Sequence, residues 1–215
     1  MHSDVVIVAS AHRLPRIECR GGLAARHTLT DTVHLISAAA TPLGGDTISI
    51  RVVVEPGARL CLRSAAATMA LPGAGELTSR TSMHLEVAGQ LDIDVEPTVV
   101  AADARHHTAV VVGIEDSGVL RLRERVQIGR TGEQQGFWSG TLRADVLGQP
   151  LLRHRVELGA GAVADDALSA PRACISELRF PAGPEDSNAA GRSEGSVCLE
   201  LAGGGVLTTW QGLRL

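Results

Sequence analysis

The sequence predicts an all-β protein with few short helices: an elongated, two-layer architecture of stacked β-hairpins that resembles a β-helix. Three observations support this fold class. Apolar and polar residues alternate with a period of two through most of the chain, as in half-buried strands. The alternating segments come in pairs around short turns, and the pairs recur about every 30 residues, which is typical of stacked structural repeats.

The first pair shows the pattern most clearly. Residues 48–54 place four aliphatic side chains on one face, and the turn Glu55–Ala58 follows. Proline and glycine occupy the second and third turn positions that a type II turn favours. Leu60 and Leu62 then resume the alternation, so the segment predicts a β-hairpin.

Three further pairs surround turns at Gly89, Gly118 and Gly148. The first leucines after the four turns are spaced by 31, 29 and 31 residues: Leu60, Leu91, Leu120 and Leu151. This spacing predicts one hairpin per repeat.

Helical signals are sparse. Ser64–Leu71 and Ala162–Ala170 are short helix candidates, each followed by a proline that would end it. The Gly-, Ser- and acid-rich stretch 183–195 predicts a mobile loop, and 196–215 predicts a C-terminal hairpin appended to a single domain over residues 1–215.

Composition limits the function classes. The 215 residues carry a net charge of −4, with no block of basic residues and only 2% aromatic residues. We therefore expect no nucleic-acid partner. The four cysteines are far apart and lack zinc-site spacing, which predicts reduced, packed thiols.

The sequence also predicts a cytoplasmic protein without a membrane partner. The apolar run Val5–Ala9 is too short for a signal peptide, and no run approaches the roughly 18 residues of a membrane span.

Two polar residues interrupt apolar strand faces. Glu124 follows Leu120 and Leu122 on one face, and His154 precedes Val156 and Leu158 on another. A buried carboxylate must be paired, protonated or hydrated. Each residue therefore either finds a local hydrogen bond, is turned outward by a bulge, or lines a polar channel that could pass a metal ion.

A glycine-rich turn carries a second pair of charged candidates. Arg130 and Glu133 lie among Gly129, Gly132 and Gly136. Glu133 could cap turn amides beside a surface ion pair, or the pair could fix the turn for a partner or present a carboxylate to a cation. Asp46, after two glycines, is either a turn residue or a further metal ligand.

No catalytic set is apparent, so we expect no enzyme. His106 and His107 are adjacent on a strand and would point to opposite faces, which prevents them from chelating one ion together. The glycine-rich segments lack the strand-to-helix context of a phosphate loop or a nucleophile elbow.

Several segments together resemble the urease accessory protein D family, UreD or UreH. The most specific is Gly129–Glu133, a Gly-Arg-x-Gly-Glu run that follows Glu124. The other matching segments are Gly44–Asp46, Glu55–Ala58, Ser64–Thr68, Val95–Val99 and Thr208–Arg214.

The resemblance implies a non-catalytic scaffold of elongated two-layer β architecture. It implies binding to the urease apoprotein and to accessory protein F, with the GTPase accessory protein G recruited through F. The assembly would deliver nickel along a water-filled route, with no tightly bound cofactor and only transient nickel. On that interpretation Asp46, Glu124 and Glu133, with His154, line or guard the route, and Gly129, Arg130 and Gly132 form a structural or partner-binding motif.

Two alternatives remain open on the residues alone. One is a β-sandwich or β-helical module that binds a carbohydrate or another small ligand, although the chain has no Tyr and only two Trp for sugar stacking. The other is a β-helical lyase or hydrolase that would use Asp92, Asp94 and Glu96, whose alternation is also that of an ordinary solvated face.

Overall fold

The computed structural model describes residues 1–166, 170–183 and 195–215, and every element assigned there is a strand. The all-β prediction is confirmed. The strands are β1 (His2–Ala9), β2 (Arg16–Arg20), β3 (Leu23–Leu29), β4 (Thr32–Ser37), β5 (Thr47–Val54), β6 (Arg59–Ser64), β7 (Thr68–Ala70), β8 (Thr78–Val87), β9 (Gln90–Asp94), β10 (Thr98–Val100), β11 (Arg105–Ile114), β12 (Val119–Ile128), β13 (Phe137–Val146), β14 (Gln149–Gly159), β15 (Ala173–Phe180), β16 (Val197–Glu200) and β17 (Val206–Gly212).

Two sheets face each other across the core. Sheet A has the order β14-β13-β11-β8-β5-β1-β2, and sheet B has the order β16-β17-β15-β12-β9-β6-β4-β3. Neighbours in the middle of both sheets run parallel, for example β5 with β8 and β6 with β9. This is the arrangement of a β-solenoid, in which each repeat adds one strand to each layer.

The predicted hairpins around Glu55–Ala58, Gly89 and Gly118 are wrong. Each of these turns carries the chain from sheet A to sheet B, so its two strands do not pair with each other. Period-2 alternation shows which face of a strand is buried, but it does not show which strand pairs with it. The turn at Gly148 does join a paired antiparallel hairpin, β13 with β14.

The leucine spacing corresponds to a real ladder over three repeats. Leu60 is the register partner of Leu91, and Leu91 is the partner of Leu120. Leu151 falls outside this ladder because β14 pairs with β13 in the opposite sheet. In sheet B the repeat therefore stops one step earlier than the sequence suggests, whereas in sheet A β13 extends the parallel ladder beyond β11.

The first helix candidate, Ser64–Leu71, is wrong. Its residues complete β6 and form β7, which pairs with β10 from Thr68 opposite Thr98. Pairing with the next repeat overrides the weak helical preference of the alanines. In the second candidate, residues 162–166 are turn and irregular backbone, while 167–169 lie outside the described residues.

The C-terminal hairpin is present as β16 and β17, paired antiparallel and joined to sheet B through β15. Nearly all of the predicted mobile loop, 183–195, lies outside the described residues. No disulfide bond joins the four cysteines, and Cys174 is buried. The described part of the chain contains no helix that could span a bilayer.

Candidate functional site: an internal cavity and a glycine-rich turn

A cavity of about 290 Å³ lies between the two sheets. Its wall in sheet A comes from five neighbouring strands, β5, β8, β11, β13 and β14. At a strand spacing of about 4.8 Å, this wall is about 19 Å across. The cavity is therefore a long passage with room for several water molecules.

Small and polar residues create this space. The inward row of sheet A that crosses the cavity reads Ile48, Thr81, Thr108, Gly140 and Val156 in register. A side chain at Gly140 would collide with the ring of Trp138, since a Cβ there would lie 2.2 Å from the ring. The Trp138 ring therefore occupies the space over Gly140, and the short side chains of Thr81 and Thr108 are the small members of the row that border the cavity.

Glu124 projects into the cavity from sheet B. Thr108 Oγ1, on the opposite sheet, donates a hydrogen bond to Glu124 Oε1 at 3.0 Å. Protein surrounds the carboxyl group, and the surface that remains accessible lines the cavity. Burial raises the pKa of Glu124 to about 7, against the opposing effect of the Thr108 hydrogen bond.

An interruption in sheet B marks the position of Glu124. Strand β12 pairs with β9 as far as Arg123 and with β10 from Val126, so Glu124 lies between the two parallel ladders. On its other side Glu124 is the register partner of Ser176. The preceding repeats bend at the same level, through residues 65–67 and 95–97, which also border the cavity.

His154 lines the same cavity from β14, in register with Leu142. Its Nε2 atom is buried and has no hydrogen-bond partner among the described residues, and burial lowers the pKa of its imidazole. The indole Nε1 of Trp138, which also lines the cavity, is likewise buried and unpaired there. These groups require water or a transient ligand.

His106 is a cavity residue that the sequence did not single out. Its Nδ1 lies 2.9 Å from Ser79 Oγ, and burial, aided by neighbouring His107, lowers the pKa of the ring to about 4. His107 lies on the outer face, as the alternation of adjacent residues predicted. The sequence does contain a pointer to this position: His106, Thr108 and Val110 alternate along β11 and therefore share the inward face.

Asp46 and Glu133 lie outside the cavity lining. Asp46 is buried and accepts hydrogen bonds from Thr41 Oγ1 and the Leu43 amide, both at 2.9 Å, and from the terminal amino group of Met1 at 2.5 Å. Although burial opposes them, these donors lower the pKa of Asp46. These contacts are of the kind that a turn residue makes.

Glu133 holds the glycine-rich turn together. It accepts the Arg130 Nε–H at 2.8 Å and a second guanidinium hydrogen bond from Nη2, and the Ala102 and Arg130 amides at 3.0 and 3.1 Å. The Arg130 bonds and then the amides lower the pKa of Glu133 to about 2. Gly129 has φ +79°, and a Cβ there would lie 2.1 Å from the Glu133 carbonyl oxygen.

The structure thus brings together two of the four predicted metal-route residues, Glu124 and His154, and adds His106. Among the described residues, no group of three or more His, Cys, Asp or Glu side chains is arranged to hold a metal ion. The arrangement offers a carboxyl group and imidazoles along one cavity, which suits weak and exchangeable contacts with a cation.

The outer carboxylates of sheet B are neutralised locally. Arg121 contacts Asp92, Asp94 and Glu177 at 3.1–3.3 Å, and Arg125 contacts Asp94 and Glu96 at 3.1 and 3.9 Å. The alternation of acids thus belongs to an ion-paired face. Trp138 is 1% exposed and cannot serve as a platform for sugar stacking.

Comparisons with known proteins identify the family. A family model described as UreD urease accessory protein matches residues 8–191. The urease accessory protein UreD of Frankia alni is 38% identical over 97% of this chain and 80% of that protein. The Frankia casuarinae protein of the same name is 36% identical over 96% and 76%, and urease accessory protein UreD 1 of Saccharopolyspora erythraea is 33% identical over 88% and 75%. The chain belongs to the UreD family of urease accessory proteins.

Proposed function

We propose that this protein acts in urease maturation as a non-catalytic scaffold in the cytoplasm, bridging the urease apoprotein and accessory protein F, with the GTPase accessory protein G joined through F. In this assembly nickel passes through the internal cavity towards the urease active site. Family membership supports the maturation role. The observation that carries the passage is a cavity lined by five adjacent strands of sheet A, with Glu124 and His154 facing into it.

Glu124 and His154 have complementary roles in this proposal. With a pKa near 7, Glu124 can exchange a proton for a cation near neutral pH without holding the cation permanently. The lowered pKa of His154 keeps its ring neutral, and a neutral imidazole is a metal ligand. Nickel is the cargo here, and the fold's own partner in this pair of groups is Thr108, which donates a hydrogen bond to Glu124.

Asp46 and Glu133 have a different place in the proposal. Both carboxylates accept hydrogen bonds from several donors, and their lowered pKa values describe anions already stabilised by the fold. Gly129, Arg130 and Gly132 keep the turn in shape, and the turn remains a candidate surface for a partner.

The test combines nickel loading with complex formation. Purified urease apoprotein, accessory proteins F and G and this chain are mixed with Ni²⁺, and urease-bound nickel is measured by mass spectrometry. We expect Glu124→Gln to reduce the loading rate by about tenfold, since a neutral amide replaces the exchangeable carboxylate. The control, Glu86→Gln, removes an exposed carboxylate paired with Arg51 on the outer face and should load normally.

A pull-down on the same samples distinguishes the role in complex formation from the role in nickel transit. Normal loading by Glu124→Gln, in a complex of normal composition, would exclude Glu124 from the route. Failure of the unmodified chain to capture either the urease apoprotein or accessory protein F would overturn the scaffold itself.

A further inference from the structure

A second concave site lies on the outer face of sheet A, on the other side of the sheet from the cavity. This outer groove has a volume of about 440 Å³ and is lined by side chains of β5, β8, β11, β13 and β14 together with His2: Thr47, Ser49, Arg80, Ser82, His107, Ala109, Ser139, Thr141 and Arg155. The groove is concave because a row of short side chains crosses the sheet at this level. These register partners are Ser49, Ser82, Ala109 and Thr141.

One exposed arginine in this groove has no ion pair. Arg80 has no carboxylate within ion-pair distance among the described residues, whereas Arg155 is paired with Glu157 at 2.5 Å and His2 lies 2.9 Å from Asp4. After burial, the charges of Arg80, Arg105 and Arg155 are the main causes of the lowered pKa of His107, and Glu157 opposes them. Arg80 also helps to lower the pKa of Glu76, which lies beyond ion-pair distance. The Arg80 guanidinium is therefore the cation of the groove that is available to an outside anion.

A hydroxyl group that the fold does not use also lines the groove. Ser139 is 4% exposed, lies on the outer side of β13 and borders the groove. None of the side-chain hydrogen bonds among the described residues involves its hydroxyl, and the oxygen is not among the fully buried atoms that lack a partner. The sheet itself leaves this hydroxyl available to whatever occupies the groove.

The arginines on the outer face of sheet B differ from Arg80 in their ion pairing. There, Arg63, Arg121, Arg123 and Arg125 are all ion-paired to acids on neighbouring strands. On sheet A, Arg80 and Arg105 have no such partner among the described residues, and Arg105 instead lies 4.1 Å above the Phe137 ring. Unpaired guanidinium groups beside a concave surface suit a carboxylate, which they bind through two parallel hydrogen bonds.

We infer that the outer groove binds an acidic segment of a protein partner, with a carboxylate on Arg80 and a hydrogen-bonding group on the Ser139 hydroxyl. The row of short side chains spans four strands, about 14 Å, which matches about four residues of extended chain. A nucleic acid fits less well, because Phe137 is covered by Arg105 and the groove offers no Phe, Tyr or Trp ring for base stacking. The inference is independent of the nickel passage, which lies on the inner face of the sheet.

The test uses a fluorescein-labelled peptide of eight glutamates and the full chain at low salt, with binding measured by fluorescence anisotropy. We expect Arg80→Glu to weaken binding at least tenfold and Ser139→Ala to weaken it about threefold to tenfold. The matched control is Arg143→Glu. Arg143 is an exposed arginine on the outer side of β13, without an ion-pair partner among the described residues and outside the groove. We expect this variant to change binding less than twofold.

Three outcomes would overturn the inference. They are absence of binding by the unmodified chain, equal losses in Arg80→Glu and Arg143→Glu, or equally strong competition by a single-stranded oligonucleotide of the same charge. Circular dichroism and unfolding midpoints of all variants check that the comparison is made between folded proteins. Both arginines are exposed, so their replacement should leave the fold intact.

Discussion

Glu124 and Glu133 lie nine positions apart on either side of the end of β12, and the fold gives them opposite properties. Glu124 projects into the cavity with one hydrogen bond from Thr108, and its pKa rises to about 7. Glu133 accepts hydrogen bonds from a guanidinium and two amides, and its pKa falls to about 2. The number of donors around a carboxyl group, set against its burial, decides whether it can exchange protons and cations near neutral pH.

The difference between the two regions has a functional meaning. In the turn, the Glu133 carboxylate accepts several hydrogen bonds and stabilises the local backbone. In the cavity, the Glu124 carboxyl group accepts one hydrogen bond, from Thr108. A carboxyl group in a cavity whose pKa burial raises towards neutral is a candidate for a functional site. The comparison can be tested by altering first the turn and then each carboxyl group.

The largest effect should come from Gly129→Ala. Gly129 has φ +79°, and an added Cβ would lie 2.1 Å from the Glu133 carbonyl oxygen, so the backbone of the turn must move. We expect a loss of about 3–5 kcal/mol in the free energy of unfolding, measured by urea denaturation. Gly132→Ala is the control: φ is +83° but no atom lies within 4 Å, so only the left-handed strain of about 1–2 kcal/mol applies. Equal losses in both variants would contradict the steric argument.

A smaller effect, of opposite sign, should come from Glu124→Gln. The pKa of Glu124 is raised from its ordinary value of 4.5 to about 7, so the folded state holds the proton more tightly than the unfolded state. Stability therefore falls as pH rises from 4.5 to about 7, by roughly 3 kcal/mol in all. We expect Glu124→Gln to remove this fall and to unfold at higher urea concentration than the unmodified chain at about pH 8. Parallel pH profiles of the two proteins would show that the carboxyl group is not held neutral.

The smallest effect should come from Glu133→Gln. The pKa of Glu133 is lowered from 4.5 to about 2, so its contribution to stability is complete above pH 4.5 and is lost as pH falls towards 2. We expect a modest drop in thermal midpoint at about pH 7 that disappears near pH 2. Calorimetry across this range measures the two thermal midpoints. If their difference were the same at every pH, the charge of Glu133 would not be the cause of its contribution to stability.

Strand faces could be predicted from the sequence with success. Alternation placed Glu124 and His154 on inward faces, and both line the cavity. The leucine spacing identified the ladder of Leu60, Leu91 and Leu120. Both predictions depend on the period of two, which is local and directly visible in the residues.

Strand partners could not be predicted in the same way. A short turn with Pro56 and Gly57 suits a hairpin, but it also suits a corner between two sheets, and the structure uses it as a corner. The choice depends on whether the next repeat offers a longer apolar face to stack on. That is a property of distant segments, and the same pairing converts Thr68–Ala70 into a strand.

Turn side chains were also beyond the sequence patterns. Asp46 and Glu133 follow or lie among glycines, so no periodicity fixes their direction. Their roles depend on the donors that the fold brings near, such as the Leu43 and Ala102 amides. For His106, adjacency to His107 predicts opposite faces but does not show which of the two rings faces inward.

The two ends of the cavity lie beneath strands that are held on one side only. Leu23, on β3, lines one end, and His154, on β14, lines the other, and both strands are the outermost members of their sheets. Outermost strands separate from a protein at a lower free energy than strands clasped between two neighbours. Brief fraying of β3 or β14 would therefore admit solvent and ions to the interior while the central ladders stay intact, and passage would not require a permanent hole in the molecule.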